Sequence, residues 1–188
     1  DRGFCSSPVD VEITTTTPDA QIRYTLDGKP PTATTGLVYG APVHIAKTTC
    51  LRAAAFKDGY IPTNVDTHTY LFVDDIVLQN YQATINAGFP AMWGGTTPDY
   101  GLDPDVIGYT APDKYGGKYA ATIKDDLRGI PTLSIVLPVD DLFGSNGIYT
   151  NSTSRGLAYE RATSVELIYP DGTRGFQEDC GLRIQGGA

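Results

Sequence analysis

The chain has 188 residues, with 22 acidic and 14 basic side chains that give a formal net charge of −8. An acidic surface repels phosphate backbones, which argues against nucleic acid as a partner, and no stretch approaches the roughly 20 apolar residues that a membrane-spanning helix needs. The 21 glycines and 13 prolines favour short strands joined by many turns.

Residues 1–73 have the pattern of an all-β unit. Apolar and polar residues alternate at 9–13 and 22–26, and the second run enters Asp27-Gly28 and a double proline, which is typical of a strand followed by a tight turn. Further strands are predicted at residues 43–45, 50–56 and 67–72. This regular spacing predicts an immunoglobulin-like β-sandwich of roughly seven short strands.

The three cysteines bear on the cellular compartment. Cys5 lies in the first strand region and Cys50 begins another strand, so a Cys5–Cys50 disulfide that closes the sandwich is predicted, which implies an oxidising compartment. The alternative is a pair of buried free thiols. Cys180 is then either buried or able to pair between chains, and burial is favoured.

One motif links the first unit to a known family. Residues 24–32 read Tyr-Thr-Leu-Asp-Gly-Lys-Pro-Pro-Thr, and they are accompanied by Tyr39 and Pro42. Matching segments are also found at residues 3–4, 48–49, 51–56, 59–60 and 69–70. Together they resemble the immunoglobulin-like domain at the C terminus of chitobiase and β-hexosaminidase, also called the fibronectin-III-associated repeat. The resemblance implies an accessory spacer or packing module on secreted bacterial proteins, without catalytic residues of its own.

The composition changes after residue 73. Residues 73–119 are rich in glycine, proline and aspartate, yet Phe89 and Trp93 are too apolar for a disordered linker, so an ordered meander packed over a core is expected. A single short helix is predicted at residues 119–128, where Ile123 and Leu127 have an i, i+4 spacing.

Strands dominate the rest of the second unit. They are predicted at residues 131–137, 147–151, 162–169 and 181–185, with a turn or short helix at 140–144. Pro170-Asp171-Gly172 indicates a hairpin between the last two. The predicted fold class is therefore mainly β: an immunoglobulin-like sandwich in residues 1–73, followed by a second β-rich (α+β) unit with one short helix in residues 74–188.

The second unit also resembles a known family. The matching segments, in order, are residues 99–104, 130–134, 141–144, 147–149, 159–161, 164–168, 175–177 and 181–188. They are similar to the front end of large secreted proteins that carry a CotH-type kinase domain, which commonly place a fibronectin-III-associated module just upstream. The resemblance implies that the phosphate-binding lysine and the acidic metal ligands of such a kinase, which phosphoryl transfer requires, would come after residue 188.

Few residues offer chemistry. Asp99, Asp103 and Asp105 place carboxylates at close spacing in a Gly/Pro-rich loop, a pattern that permits calcium binding, although solvated turn carboxylates are favoured and no other cofactor is expected. Asn151 begins an Asn-Ser-Thr acceptor sequence for glycosylation. Neither His44 nor His68 lies at a catalytic or metal-ligand spacing.

We therefore expect a non-catalytic protein of the cell exterior or cell surface, with a structural, adhesive or self-assembling role. Exposed strand edges provide a route to homo-oligomers or polymers. Two alternatives remain open. One is the N-terminal part of a secreted CotH-type kinase, and the other is an accessory module that binds cell-surface glycans through exposed aromatics, with Trp93 and Tyr39 as candidates.

Overall fold

The computed structural model describes residues 2–107 and 113–185; residues 186–188, the end of the second resemblance, lie outside them. The sandwich contains seven strands, as the sequence predicts. They are β1 (Gly3–Phe4), β2 (Val9–Val11), β3 (Gln21–Thr25), β4 (Leu37–Val38), β5 (Val43–Ile45), β6 (Thr49–Phe56) and β7 (Asp66–Leu71).

These strands form two layers. A five-stranded sheet has the order β1-β7-β6-β3-β4, in which β1 runs parallel to β7 and the other neighbours are antiparallel, and β2 pairs with β5 in a second sheet. The core between them is formed by Val43, Ile45, Leu51, Tyr70 and Phe72. The alternation of strands places every second residue in this core, which is why the period-2 pattern located the strands.

A third sheet belongs to the second unit. It contains β8 (Thr132–Val136), β9 (Arg161–Ile168) and β10 (Gln177–Leu182) in the antiparallel order β10-β9-β8. The predicted hairpin between the last two strands is confirmed, but its second strand begins at Gln177 and ends at Leu182 rather than spanning residues 181–185. The whole fold is mainly β, which confirms the predicted class.

The prediction of one short helix is wrong. The described residues contain five short α-helices: α1 (Val73–Ile76), α2 (Tyr81–Asn86), α3 (Pro104–Ile107), α4 (Ile123–Arg128) and α5 (Val139–Phe143). A 3₁₀ turn follows at Leu157–Tyr159. Helices of four to six residues span less than two turns, so they show no 3.6-residue periodicity from which to recognise them.

The predicted strand at residues 147–151 is also wrong. The Ile148 and Tyr149 amides donate to the Asp141 and Leu142 carbonyls at 2.9 Å each, and the Asn151 amide donates to the Gly147 carbonyl at 3.1 Å. These bonds fold the segment into turns against the end of α5. The β-branched and aromatic residues that suggested a strand here serve packing instead.

The three-stranded sheet covers the second face of the five-stranded sheet. Tyr70 of β7 points into the sandwich core, so its neighbour Thr69 points to the opposite face, where it contacts Glu166 of β9 and Ser134 of β8. Thr67 and Ser164 are 0% exposed. The strands therefore stack in three layers, and α1 begins directly after β7; a domain boundary at residue 73 stays a prediction.

Candidate functional site

The buried junction between the two units is polar. The Thr69 hydroxyl donates to Glu166 Oε2 at 2.5 Å, the Thr69 amide donates to Glu166 Oε1 at 3.3 Å, and Arg2 Nε lies 3.5 Å from Oε1. The Glu166 side chain is 0% exposed, and burial raises its pKa against the opposing effects of the Thr69 hydrogen bonds and Arg2. The Glu166 carboxylate accepts hydrogen bonds from the amide and the hydroxyl of Thr69, and so joins β9 to β7. These contacts indicate a structural role.

The predicted Cys5–Cys50 disulfide is not formed, because the two thiols lie on opposite faces of the five-stranded sheet. Cys5 packs against the sandwich core, whereas Cys50 Sγ lies 3.6 Å from Thr69 Oγ1 on the other face. Both are free thiols, and so is Cys180. Cys180 was expected to be buried, but it is exposed. Burial raises the pKa of Cys50 to about 11, which disfavours the reactive thiolate form at neutral pH.

The three candidate calcium ligands do not converge. Asp99 Oδ1 accepts from the Gly101 amide at 3.3 Å, Asp103 Oδ1 accepts from the Asp105 amide at 2.9 Å, and Asp105 is paired with Lys114. Across residues 2–107 and 113–185, no group of three or more His, Cys, Asp or Glu side chains is placed to hold a metal ion. The carboxylates instead stabilise local turns and an ion pair.

Asn151 has a structural role in a turn. Its Nδ2 atom, which would carry a glycan, donates to the carbonyls of Ser145 and Gly147 at 2.9 Å each. The two histidines are also apart from one another: His44 is exposed and lies 2.7 Å from Asp10 Oδ1, and His68 sits on β7, where burial lowers its pKa. Glycosylation of Asn151 stays a prediction.

Strand β8 forms an exposed apolar edge. It is the outer strand of the three-stranded sheet, and its outward side chains Leu133 and Ile135 are 54% and 46% exposed. They lie opposite Leu167 and Val165 of β9, respectively, so the same sheet face continues with apolar residues. The five residues Thr132–Val136 include no charge and no proline.

A groove runs beside the end of β10. It has a volume of about 1010 Å³ and lies between residues 151–156 and residues 181–185. A smaller apolar cavity of about 320 Å³ adjoins it and is lined by aromatic rings, including Trp93, Phe143 and Tyr149. Ile148, Leu182, Arg183 and Ile184 line both cavities, so the two adjoin one another at these residues.

The aromatic rings that line the smaller cavity form a fixed cluster. Trp93 lies with ring centroids 5.4 Å from both Phe143 and Tyr149, and its indole Nε1 donates to Tyr100 Oη at 2.9 Å. The sequence indicated that the aromatics of residues 89–100 pack over a core, but not that Trp93 meets Phe143 and Tyr149. No local signal connects segments so distant in the chain.

Comparison with known proteins supports the first resemblance. No curated protein and no solved structure matches the chain. Among the described residues, no helix has the length and apolar character needed to cross a membrane. Residues 1–67 match the family model described as the chitobiase/beta-hexosaminidase C-terminal domain, an immunoglobulin-like domain, whereas the CotH-type resemblance of the second unit stays a prediction.

Proposed function

We propose that this protein is a non-catalytic extracellular module that self-associates through the edge of β8, in a structural or adhesive role. The match of residues 1–67 to an immunoglobulin-like accessory domain supports a module without chemistry of its own.

The observation that carries the proposal is the character of β8. Natural edge strands are commonly blunted by charges, proline or shortness, which prevent pairing with another chain. The edge strand β4 is two residues long, and β10 carries Glu178 and Asp179, but β8 has neither protection. Its unprotected edge and its exposed Leu133 and Ile135 favour addition of a strand from a second copy.

The test is to place a charge on this edge. We expect the wild-type chain to form concentration-dependent oligomers in sedimentation equilibrium, and Ile135→Lys to weaken their association at least about tenfold. Burying an isoleucine in an interface contributes about 1.5–3 kcal/mol, and 1.4 kcal/mol corresponds to tenfold in affinity. The lysine removes this contribution and repels its copy in a symmetric pairing.

The matched control is Ile61→Lys, the same substitution at a loop position that is 95% exposed. It is expected to associate like the wild type. A strictly monomeric wild-type chain at high concentration, or equal weakening by both variants, would contradict self-association through β8.

The CotH-type resemblance supports a second candidate, the front part of a secreted kinase. Two of its matching segments fall on strands, since residues 130–134 enter β8 and residues 164–168 lie in β9. A natural chain that continues past residue 188 and binds Mg-ATP would favour this candidate. A natural chain that ends at residue 188 would count against it.

A further inference from the structure

We propose that the groove between residues 151–156 and residues 181–185 binds an acidic oligosaccharide. This binding is separate from the self-association of β8, which concerns the opposite edge of the three-stranded sheet. The proposal rests on three properties of the groove: its charge, its polar rim and its aromatic end.

The charge of the groove is opposite to that of the molecule. Among the described residues that line it, the charged ones are Arg155 and Arg183, although the chain has a net charge of −8. Arg183 Nε lies 3.3 Å from Glu160 Oε2, and the Glu160 carboxylate also lies beside Gly181 of the groove wall, so it offsets the charge of one of the two arginines. Two arginines beside one carboxylate leave an excess of positive charge that favours an anion, and the guanidinium geometry suits carboxylates in particular.

The rim supplies hydrogen-bonding groups at fixed positions. Ser152, Thr153 and Ser154 follow one another along one wall. Their loop is held at its start by Asn151, whose Nδ2 donates to two carbonyls, and Arg161 donates to the carbonyls of Asn146, Ala158 and Glu160 beyond it. A wall tied down in this way loses little conformational freedom when it binds a ligand.

The aromatic end distinguishes a sugar from other anions. Trp93 and Tyr149 are each 37% exposed and line the apolar cavity that adjoins the groove. Flat, rigid rings offer an apolar surface to the C–H face of a pyranose, while arginine and hydroxyl groups bind its carboxylate and hydroxyls. A uronic-acid oligosaccharide presents all of these groups at once.

Trp93 is the single tryptophan of the chain, so its fluorescence reports directly on the site. Titration with trigalacturonate at low salt is expected to change the Trp93 emission saturably, and maltotriose, a neutral trisaccharide, to bind at least about tenfold more weakly. Arg155→Gln is expected to weaken trigalacturonate binding about tenfold or more, the usual range for loss of a charge-assisted hydrogen bond.

Two control variants show whether binding depends on this groove. Arg174→Gln removes an exposed arginine outside the groove lining and is expected to bind trigalacturonate like the wild type. Ile135→Lys is expected to do the same, so that a failure of self-association and a failure of sugar binding are distinguishable. Arg155 is exposed, so Arg155→Gln should retain the wild-type circular dichroism spectrum.

The proposal is overturned by any of three results. One is the absence of an emission change and of binding heat with trigalacturonate, and another is unchanged affinity in Arg155→Gln. The third is equal binding of triglutamate, which would show recognition of negative charge without recognition of sugar.

Discussion

Glu166 is the residue on which the junction between the sheets depends. Its carboxylate accepts from the backbone and the hydroxyl of Thr69, and Thr69 Oγ1 lies 2.7 Å from Ser134 Oγ. Burial raises the pKa values of the half-buried thiol of Cys50 and of the phenol of Tyr70, and both groups are near enough for the Glu166 charge to raise these pKa values further. The Glu166 carboxylate satisfies the hydrogen-bond donors around it. Its ionised form is nevertheless costly to bury, because only some of its lone pairs have partners.

The raised pKa of Glu166 makes stability depend on pH. Because the folded pKa lies above the unfolded value, the stabilising contribution is fully present below the unfolded pKa and is lost as pH rises through the folded pKa. Glu166→Gln removes this titration. Its Oε1 can accept from the Thr69 amide and its Nε2 can donate to Thr69 Oγ1, which then donates to Ser134.

The wild type loses this contribution as pH rises, whereas Glu166→Gln does not. We therefore expect the stability of Glu166→Gln relative to the wild type to increase as pH rises from the acidic range to neutrality. Urea denaturation across that range measures it. Glu178→Gln on β10, an exposed site, provides the matched control and should show no such trend. A wild-type chain that gains stability relative to Glu166→Gln with rising pH would contradict the raised pKa.

At the scale of elements, the strands were predictable where tertiary context agrees with local pattern. Val43-His44-Ile45 forms β5 at the predicted positions because both apolar side chains enter the core while His44 faces solvent. Residues 147–151 have an equally strand-like composition, but hydrogen bonds to carbonyls of α5 decide their conformation. Those partners come from tertiary folding, which a local pattern cannot contain.

The groove lay beyond prediction for a related reason. Its two walls are residues 151–156 and 181–185, which the β9–β10 hairpin brings together. The sequence predicted that hairpin but not the register or the loop geometry that aims Arg155 and Arg183 into one space. The sequence predicted that Phe89 and Trp93 pack over a core. It could not predict that Trp93 stays partly exposed in a cavity beside the groove.

Helix α2 supports the aromatic end of the groove, and its N-cap is expected to matter. Asn80 Oδ1 accepts from the Ala83 amide at 3.0 Å, and Tyr81, the first helical residue, donates from its hydroxyl to the Ala91 carbonyl at 2.9 Å and packs on Tyr100. Asn80→Ala should reduce the free energy of unfolding by about 1 kcal/mol, the typical contribution of an N-cap.

Thermal and urea denaturation, followed by Trp93 fluorescence, measure this loss. The same replacement at the other end of the helix, Asn86→Ala, is the control. Asn86 only accepts from Gln82 at an exposed position, so the expected change is a few tenths of a kcal/mol. Equal losses in the two variants would show that the cap does not set the stability of α2.

For the whole molecule, the three stacked sheets predict that the two units unfold together. The face of β7 that carries Thr67 and Thr69 is buried under β9, so neither sheet keeps its partner if the other unfolds. Trp93 lies in the second unit and reports on it alone, while far-ultraviolet circular dichroism reports on all the strands. Their denaturation curves are expected to coincide, which is the signature of a single cooperative transition.

Thr69→Val tests this coupling directly. The substitution lies in the sandwich and removes the hydroxyl partner of Glu166 and Ser134, which leaves buried polar groups unsatisfied at a cost of about 1–3 kcal/mol. We expect it to shift the Trp93 transition and the circular dichroism transition equally. Thr16→Val, at an exposed position of the same unit, should shift neither. If Thr69→Val moved the circular dichroism curve and left that of Trp93 in place, the units would fold independently, because a junction that stabilises both sheets cannot be weakened for only one of them.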